Sequence, residues 1–305
     1  MTPSQIYFFD KSEVLLNMLR TFLITLYTFV FSAMSYAQQD LSEQVNELIS
    51  AEYNMSVLAK NRGLLTAYKT YSDEYTTFFV PSPINALSYL NGKPKLPDVM
   101  TWKPIYAKVS KSNEWGFTTG PTDWQSVGYS KKFGEYLCLW KRDRKGVWKI
   151  AYRAISEHGK PRGDVNTIFE SPANNKFRKL RSKARIKQRE DIIFSTDQLF
   201  STILKADNLT AFNEFLSADA RIYIPSYNPI VGLKNIKSLL QKQEIIIESS
   251  SVEKVDRTYS GELAYSSGEA IIRKGNEQIN CRYIRIWEVQ TDAKWKVVVD
   301  MYFKK

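Results

Sequence analysis

Gly116-Phe-Thr-Thr-Gly120 and, further along the chain, Ala264-Tyr-Ser-Ser-Gly268 decide how this sequence is read. Both are short strand-like runs closed by glycine, and what surrounds one also surrounds the other. Trp140 and Trp287 lie 147 positions apart, as do Tyr136 and Tyr283, and Trp148-Lys149 and Trp295-Lys296. Upstream, Val80-Pro81-Ser82 answers Ile224-Pro225-Ser226, and Ala67-Tyr68 answers Ala211-Phe212, at an offset of 144. A nearly constant offset predicts two copies of one domain. The period far exceeds the roughly 20–50 residues of a solenoid repeat. The expected organisation is a leader over 1–37, domain one over 38–165, a linker over 166–190 and domain two over 191–305.

Each half has the same order of elements. Apolar residues at Leu41, Val45, Leu48 and Ile49 have helical spacing over about 41–60, followed by a second helix near 63–74. The counterparts are about 186–205, with Ile192, Ile193, Leu199 and Phe200, and then 208–217, which Asp207-Asn208 can cap. A short strand follows, Thr76–Val80 or Ala220–Ile224, ended by proline. Domain two then shows a helix over Leu233–Gln243. In domain one, Pro81, Pro83, Pro94 and Pro97 predict an ordered loop instead. The rest reads as strands: Ile105–Val109, Trp115–Thr119, Gly134–Arg142 and Trp148–Tyr152, matched by about 245–256, 262–273, 279–289 and 295–303. Helices followed by antiparallel strands make an α+β fold.

At 305 residues the chain has room for about two domains. Its 43% hydrophobic and 25% charged content is that of a globular protein. One histidine and two cysteines exclude most zinc sites, and no metal or other cofactor is expected. Residues 21–34 are apolar, Arg20 precedes them and Ser35-Tyr36-Ala37 follows, the pattern of a secretory signal peptide cut after Ala37. Met18 is an alternative start, and a retained anchor is the alternative fate. The run is shorter than the roughly 20 residues of a stable span. The expectation is an exported, periplasmic or extracellular protein with no stable membrane span after processing.

Trp102-x-Pro104, Ala107-x-Val109-Ser110, Gly116-Phe-Thr-Thr-Gly120-Pro, Gly134-x-Tyr136-x-x-x-Trp140 and Gly146-x-Trp148-Lys149-Ile150 resemble the SnoaL-like branch of the nuclear-transport-factor-2-like superfamily. Ile224-Pro225, Gly232, Ala264–Gly268, Trp287, Trp295-Lys296 and Asp300 carry the same resemblance in domain two. It implies two cone-shaped domains, each a strongly curved antiparallel sheet wrapped around N-terminal helices, with a pocket between sheet and helices. It also implies dimerisation through the sheet, by which tandem copies would form an internal pseudo-dimer or the whole chain a homodimer; the alternative is two copies set apart as beads. The superfamily contains isomerases, cyclases, dehydratases and noncatalytic binding modules, and fold does not transfer a reaction.

Strand alternation sorts the side chains. Tyr136, Cys138 and Trp140 share one face, and Leu137 and Leu139 the other. Tyr283, Arg285 and Trp287 oppose Ile284 and Ile286 in the same way. The aliphatic faces are expected in plain core or between sheets. The mixed faces are the candidate pocket linings, since pockets join apolar walls to a few polar groups. The ligand-binding candidates are therefore Tyr136, Trp140, Tyr227, Tyr283, Arg285 and Trp287, and each of these also suits simple packing. Catalytic relatives hold an acid or base inside the cone. By position, Asp300, Asp219 and Tyr223 are the candidates here, although Asp219 also suits a surface or capping role. The position of domain one equivalent to Asp300 is Arg153, which weakens an enzymatic reading of that half. His158 reads as a solvated loop residue. Cys138 and Cys281 read as two buried thiols, with a disulfide as the alternative.

The net charge of +11 is concentrated. Residues 166–190 hold eight basic residues against two acidic ones, whereas domain two is neutral. No basic-aromatic platform for nucleic acid is apparent, so none is expected as a partner. The leading reading is a binder of a small, partly apolar molecule. The alternatives are an acid-base enzyme acting in domain two and a noncatalytic interaction module.

Overall fold

In the computed structural model, residues 19–22 and 43–305 are described, apart from 81, 93, 162, 164, 165, 180 and 181. The leader expected over 1–37 lies outside the described residues except for 19–22, an exposed helical turn. No described helix is long and apolar enough to cross a membrane. Residues 44–305 form one compact unit.

The first half begins with α1 (43–62). Its buried stripe is Val45, Leu48, Ile49, Glu52, Met55 and Ala59, the three-to-four spacing of a helix laid on a sheet. Next come α2 (Leu64–Tyr71), β1 (Thr77–Phe79), β2 (Pro83–Asn85) and α3 (Ala86–Asn91), and then β3 (Val99–Trp102), β4 (Tyr106–Val109), β5 (Trp115–Gln125), β6 (Lys132–Arg142) and β7 (Trp148–His158). The second half comprises α4 (Lys183–Ala206), α5 (Asn208–Phe215), β9 (Leu216–Tyr223), β10 (Ile230–Val231), α6 (Leu233–Lys242), β11 (Ile245–Arg257), β12 (Leu263–Lys274), β13 (Glu277–Val289) and β14 (Trp295–Lys304). Between the halves, β8 (Ile168–Glu170) pairs parallel to β4. Residues expected as linker thus supply an edge strand and the start of α4.

Each half builds one sheet. The order is β2-β1-β7-β6-β5-β4-β8 in the first, with β3 also on β5, and β10-β9-β14-β13-β12-β11 in the second. In both, the short strand after the helices runs parallel to the last long strand and the other long strands pair antiparallel. Two glycines permit the curvature. A Cβ on Gly120 would lie 2.1 Å from the Lys103 carbonyl oxygen, and one on Gly268 would lie 1.9 Å from that of Ser251. At these points the strand paired with the glycine's own strand is irregular. It breaks between β3 and β4 in the first sheet, and it shifts register between Val252 and Lys254 in the second. Bulges and glycines bend sheets in this way.

The sequence reading needs three corrections here. The proline-rich stretch after β1 is not only a loop, because Asn85 accepts a hydrogen bond from Ser88 N–H and caps α3. The strand expected over Trp115–Thr119 runs on to Gln125 as β5, and Trp115 is buried, stacked on Tyr265 at 6.2 Å. His158 is not a solvated loop residue. It ends β7, buried, with Nε2 3.8 Å from Glu135. Burial works against its charge, but Glu135 and the Gly159 carbonyl outweigh that and hold its pKa above the usual histidine value.

Three apolar cores result. One lies inside each sheet, against its own helices. The third joins the two sheets back to back: Leu137, Leu139, Tyr152 and Trp115 meet Ile284, Ile286, Tyr265 and Met301. The aliphatic faces identified by strand alternation are therefore the sheet-to-sheet faces. The hairpin tips at Ser112 and Ser260, which match at an offset of 148, touch through their hydroxyls at 2.6 Å. Lys108 Nζ donates to both Glu288 oxygens at 2.7 Å, and Lys141 pairs with Asp256. These two contacts occupy equivalent positions with the charges exchanged, so the first half carries both lysines and the second both carboxylates.

Candidate functional site

Each long helix delivers a carboxylate into its cone. On α1 this is Glu52, one turn beyond Leu48 and Ile49 and fully buried. Its Oε1 accepts from Trp102 Nε1 at 2.5 Å and from Arg153 Nη1 at 3.2 Å. Its Oε2 accepts from Thr118 Oγ1 at 2.5 Å and Trp140 Nε1 at 3.0 Å. Four donors satisfy the carboxylate, the condition for burying such a group without a large penalty.

Arg153 is used less completely. Its guanidinium lies 4.6 Å from the Trp102 ring centroid and 4.5 Å from that of Tyr136, so aromatic faces cover it. Nη1 is engaged by Glu52, but Nε and Nη2 are buried with no hydrogen-bond partner among the described residues. The Tyr136 hydroxyl is likewise buried and unpartnered. Burial alone would lower the Arg153 pKa, but Tyr68 and Glu52 outweigh it and the group stays charged. Burial drives the Cys138 thiol far above its usual range, so this neighbour is a neutral thiol.

Arg153 faces a cavity of about 210 Å³ between α2, α3, the loop before β3 and the inner face of β7. Its apolar walls include Leu64, Phe78, Tyr89, Leu96, Met100 and Trp124. Phe303 and Lys304 of β14 complete the rim, so the second half closes a wall of the first half's pocket. The Phe79 and Phe303 rings meet edge-on at 5.2 Å. The volume is below the roughly 300–1,000 Å³ of pockets for drug-sized ligands.

The second cone uses the same ingredients and pairs its guanidinium fully, although Asp197 Oδ2 has no hydrogen-bond partner among the described residues. Asp197 on α4 is fully buried and accepts from Arg285 Nη1 at 2.6 Å and the Tyr283 hydroxyl at 3.1 Å. Arg285 Nε donates to Asp300 at 3.2 Å, and its Nη2 donates to the Tyr302 hydroxyl at 3.0 Å and to Ser250 Oγ at 3.3 Å. Every nitrogen of this guanidinium has a partner. The Tyr302 hydroxyl donates to Asp300 at 2.9 Å. Burial pushes the Asp300 carboxyl up to about 6, and Arg285 only partly counters that. Phe200, Phe212, Phe215 and Trp287 pack around the cluster. Further cavities among the described residues include these two. One, of about 300 Å³, has Lys141, Arg142 and Arg189 facing Glu114, Glu190 and Asp256. The other, of about 520 Å³, lies by the turn between α4 and α5.

The candidate catalytic residues do not converge. Asp300 is inside the second cone, but Asp219 is exposed on β9, where it accepts from Ser217 Oγ at 2.8 Å. Tyr223 lies between the sheets and accepts from Thr119 Oγ1 at 3.1 Å. Tyr136 and Trp140 sit in the first cone beside Glu52 and Arg153. Tyr283, Arg285 and Trp287 fill the second, and Trp287 Nε1 donates to Ser266 Oγ at 2.8 Å. Tyr227 packs at the edge of that core, under Lys274. Cys138 and Cys281 are both buried and unbonded.

The sequence reading missed Glu52 and Asp197. The signal for each was an acid at a buried position of an apolar helical stripe: Leu48, Glu52, Met55 in one helix and Ile193, Asp197, Phe200 in the other. It also took Arg153 only as the absence of an aspartate.

No family model matches the chain, and no curated protein matches it. Similar solved structures include an NTF2-like protein from Cytophaga hutchinsonii, 16% identical, covering 38% of this chain and 97% of that one, with a TM-score of 0.32. A second is an LEH-like epoxide hydrolase from M. tuberculosis, 10% identical, covering 40% and 81%, with a TM-score of 0.30. A third is an NTF2-like protein with a cystatin-like fold from Novosphingobium aromaticivorans, 10% identical, covering 40% and 85%, with a TM-score of 0.31. Two of these three are described as NTF2-like, and each of the three aligns with well under half of this chain.

Proposed function

We propose that the protein is a tandem of two related cones that binds a small, partly apolar molecule in the first cone. The second cone acts as an internal partner that completes the pocket wall. The observation that carries this reading is the cavity beside Arg153, apolar on its walls and lined by a guanidinium two of whose nitrogens have no partner among the described residues. Ligand pockets combine these two features. A fully paired guanidinium with a packed aromatic shell in the second cone fits a structural role for that half. An acid-base enzyme in domain two has less support, because Asp219 is exposed and Tyr223 faces the space between the sheets, whereas Asp300 faces the inside of the cone. The proposal includes export, on the leader pattern of residues 1–37.

Thermal-shift measurements with small amphiphiles test the binding reading. Leu96→Trp, on the loop lining the cavity, serves as the filled-pocket control. Binding to the folded state raises the melting temperature by mass action. A shift in the wild type that Leu96→Trp abolishes supports the proposal. No shift with any compound at about 10 mM, where even a millimolar Kd gives an appreciable effect, retires it. For export, N-terminal sequencing of the protein from its native cells should begin at Gln38.

A further inference from the structure

We infer that the ligand of the first cone is a small organic anion, a carboxylate on an apolar body, gripped by Arg153. This rests on the pocket assignment above and specifies the ligand's chemistry.

The first observation concerns the guanidinium. Nε and Nη2 of Arg153 form one edge of the planar fork, and both are buried without a partner among the described residues. A buried donor left unpaired carries a desolvation cost that a bound acceptor removes. Two parallel N–H groups on one edge match the two oxygens of a carboxylate. Glu52 does not compete for that edge: it touches only Nη1, and its other contacts are the two indoles and Thr118.

The second observation concerns charge. The ionisable residues around the cavity, tyrosines aside, are Lys95, Arg153 and Lys304, and none of its described lining residues is acidic. A cleft lined by one sign of charge attracts the opposite sign. The Tyr68 hydroxyl, which donates to Met100 Sδ at 3.6 Å, is a further donor able to turn toward an oxygen. Aromatic and aliphatic walls then select an apolar body over a bare inorganic ion.

The third observation is internal to the molecule. In the second cone, Asp300 and the Tyr302 hydroxyl engage the corresponding Nε and Nη2 of Arg285. The protein itself supplies a carboxylate to this edge where the cone is closed. Where the cone is open, the ligand would take the place of that carboxylate.

The test compares phenylacetate, its neutral isostere phenylacetamide, and acetate, by isothermal titration calorimetry on the intact chain. Wild type should bind phenylacetate at least about tenfold more tightly than phenylacetamide, the difference expected of a charge-assisted pair, and acetate more weakly than phenylacetate. Arg153→Gln should remove the preference for the acid, and Arg153→Lys should keep part of it. Leu96→Trp should weaken both aromatic ligands, and it provides a reading if Arg153→Gln does not fold. Equal or tighter binding of phenylacetamide overturns the anion inference and leaves the pocket reading standing. Acetate binding as tightly as phenylacetate overturns the apolar-body part. Phenylacetate binding unchanged in Leu96→Trp places the anion elsewhere and overturns the assignment to Arg153. If no compound binds at about 10 mM, the pocket reading fails and the anion inference with it.

Discussion

Arg153 and Arg285 each meet a carboxylate carried by the long helix of their own half, but from neighbouring rather than equivalent strands. Arg153 projects from β7, the last long strand of its sheet, whereas Arg285 projects from β13, the next to last. The position matching Arg285 is Cys138, and the one matching Arg153 is Asp300. This exchange explains why one cone keeps a buried, unpartnered edge on its guanidinium and the other does not. Asp300 faces Arg285 across the β13–β14 pair and saturates it. Cys138 faces Arg153 across β6–β7 and, as a neutral thiol, does not.

The two arginines should therefore differ in what they contribute to stability. Arg285→Met leaves Asp197 and Asp300 buried together without a cation. The expected loss is about 3–5 kcal/mol, the range for breaking a buried pair. Arg153→Met should cost less, because Glu52 keeps Trp102, Trp140 and Thr118 as donors. Urea titrations of both variants check the order, and an equal or larger loss for Arg153→Met contradicts it.

The exchanged charges at the sheet-to-sheet contact make a second prediction. Lys108→Glu sets a new carboxylate against Glu288 and Glu170. With Lys108 only 12% exposed, the loss should be about 1–3 kcal/mol. Adding Glu288→Lys should recover more than half of it, as a coupled pair does in a double-mutant cycle. Additive losses would mean that the two residues are not coupled.

Gly268 and Gly159 form a contrasting pair. Gly268→Ala forces a methyl against the Ser251 carbonyl, where β11 shifts register on β12, and overpacking of this kind costs at least about 1–3 kcal/mol. A Cβ on Gly159 meets nothing within 4 Å, so Gly159→Ala should be close to neutral. Thermal melts distinguish the two, and a neutral Gly268→Ala would mean that the close approach does not constrain the bend.

Asp300 makes stability depend on pH. Its folded-state carboxyl is pushed up to about 6 by burial, against an ordinary value of 3.8. The folded state then holds a proton that the unfolded state has released. Its contribution is fully present below pH 3.8 and is lost as pH rises through about 6. Asp300→Asn, which cannot titrate, should flatten the stability profile across that window. Denaturant midpoints measured from pH 4 to 7 (roughly one point per half unit) follow the slope of linkage. An unchanged slope in the variant would rule out Asp300 as its source.

The sequence by itself determined the architecture and the side-chain faces. Trp140 and Trp287, 147 positions apart, lie in β6 and β13, each of which pairs antiparallel with the long strands before and after it. Period-two alternation separated Tyr136, Cys138 and Trp140, inside a cone, from Leu137 and Leu139, between the sheets. The second signal is local, because backbone pleating alone fixes which side chains share a face. Only the tertiary structure decided the site. Glu52 and Arg153 are about a hundred residues apart, and nothing local says that α1 lays one over the other. The lining from Phe303 and Lys304 comes from the far end of the chain. Whether a guanidinium is saturated or left with a free edge depends on which cross-strand neighbour faces it. Helix docking and strand register set that neighbour, and here they closed one cone and left the other open.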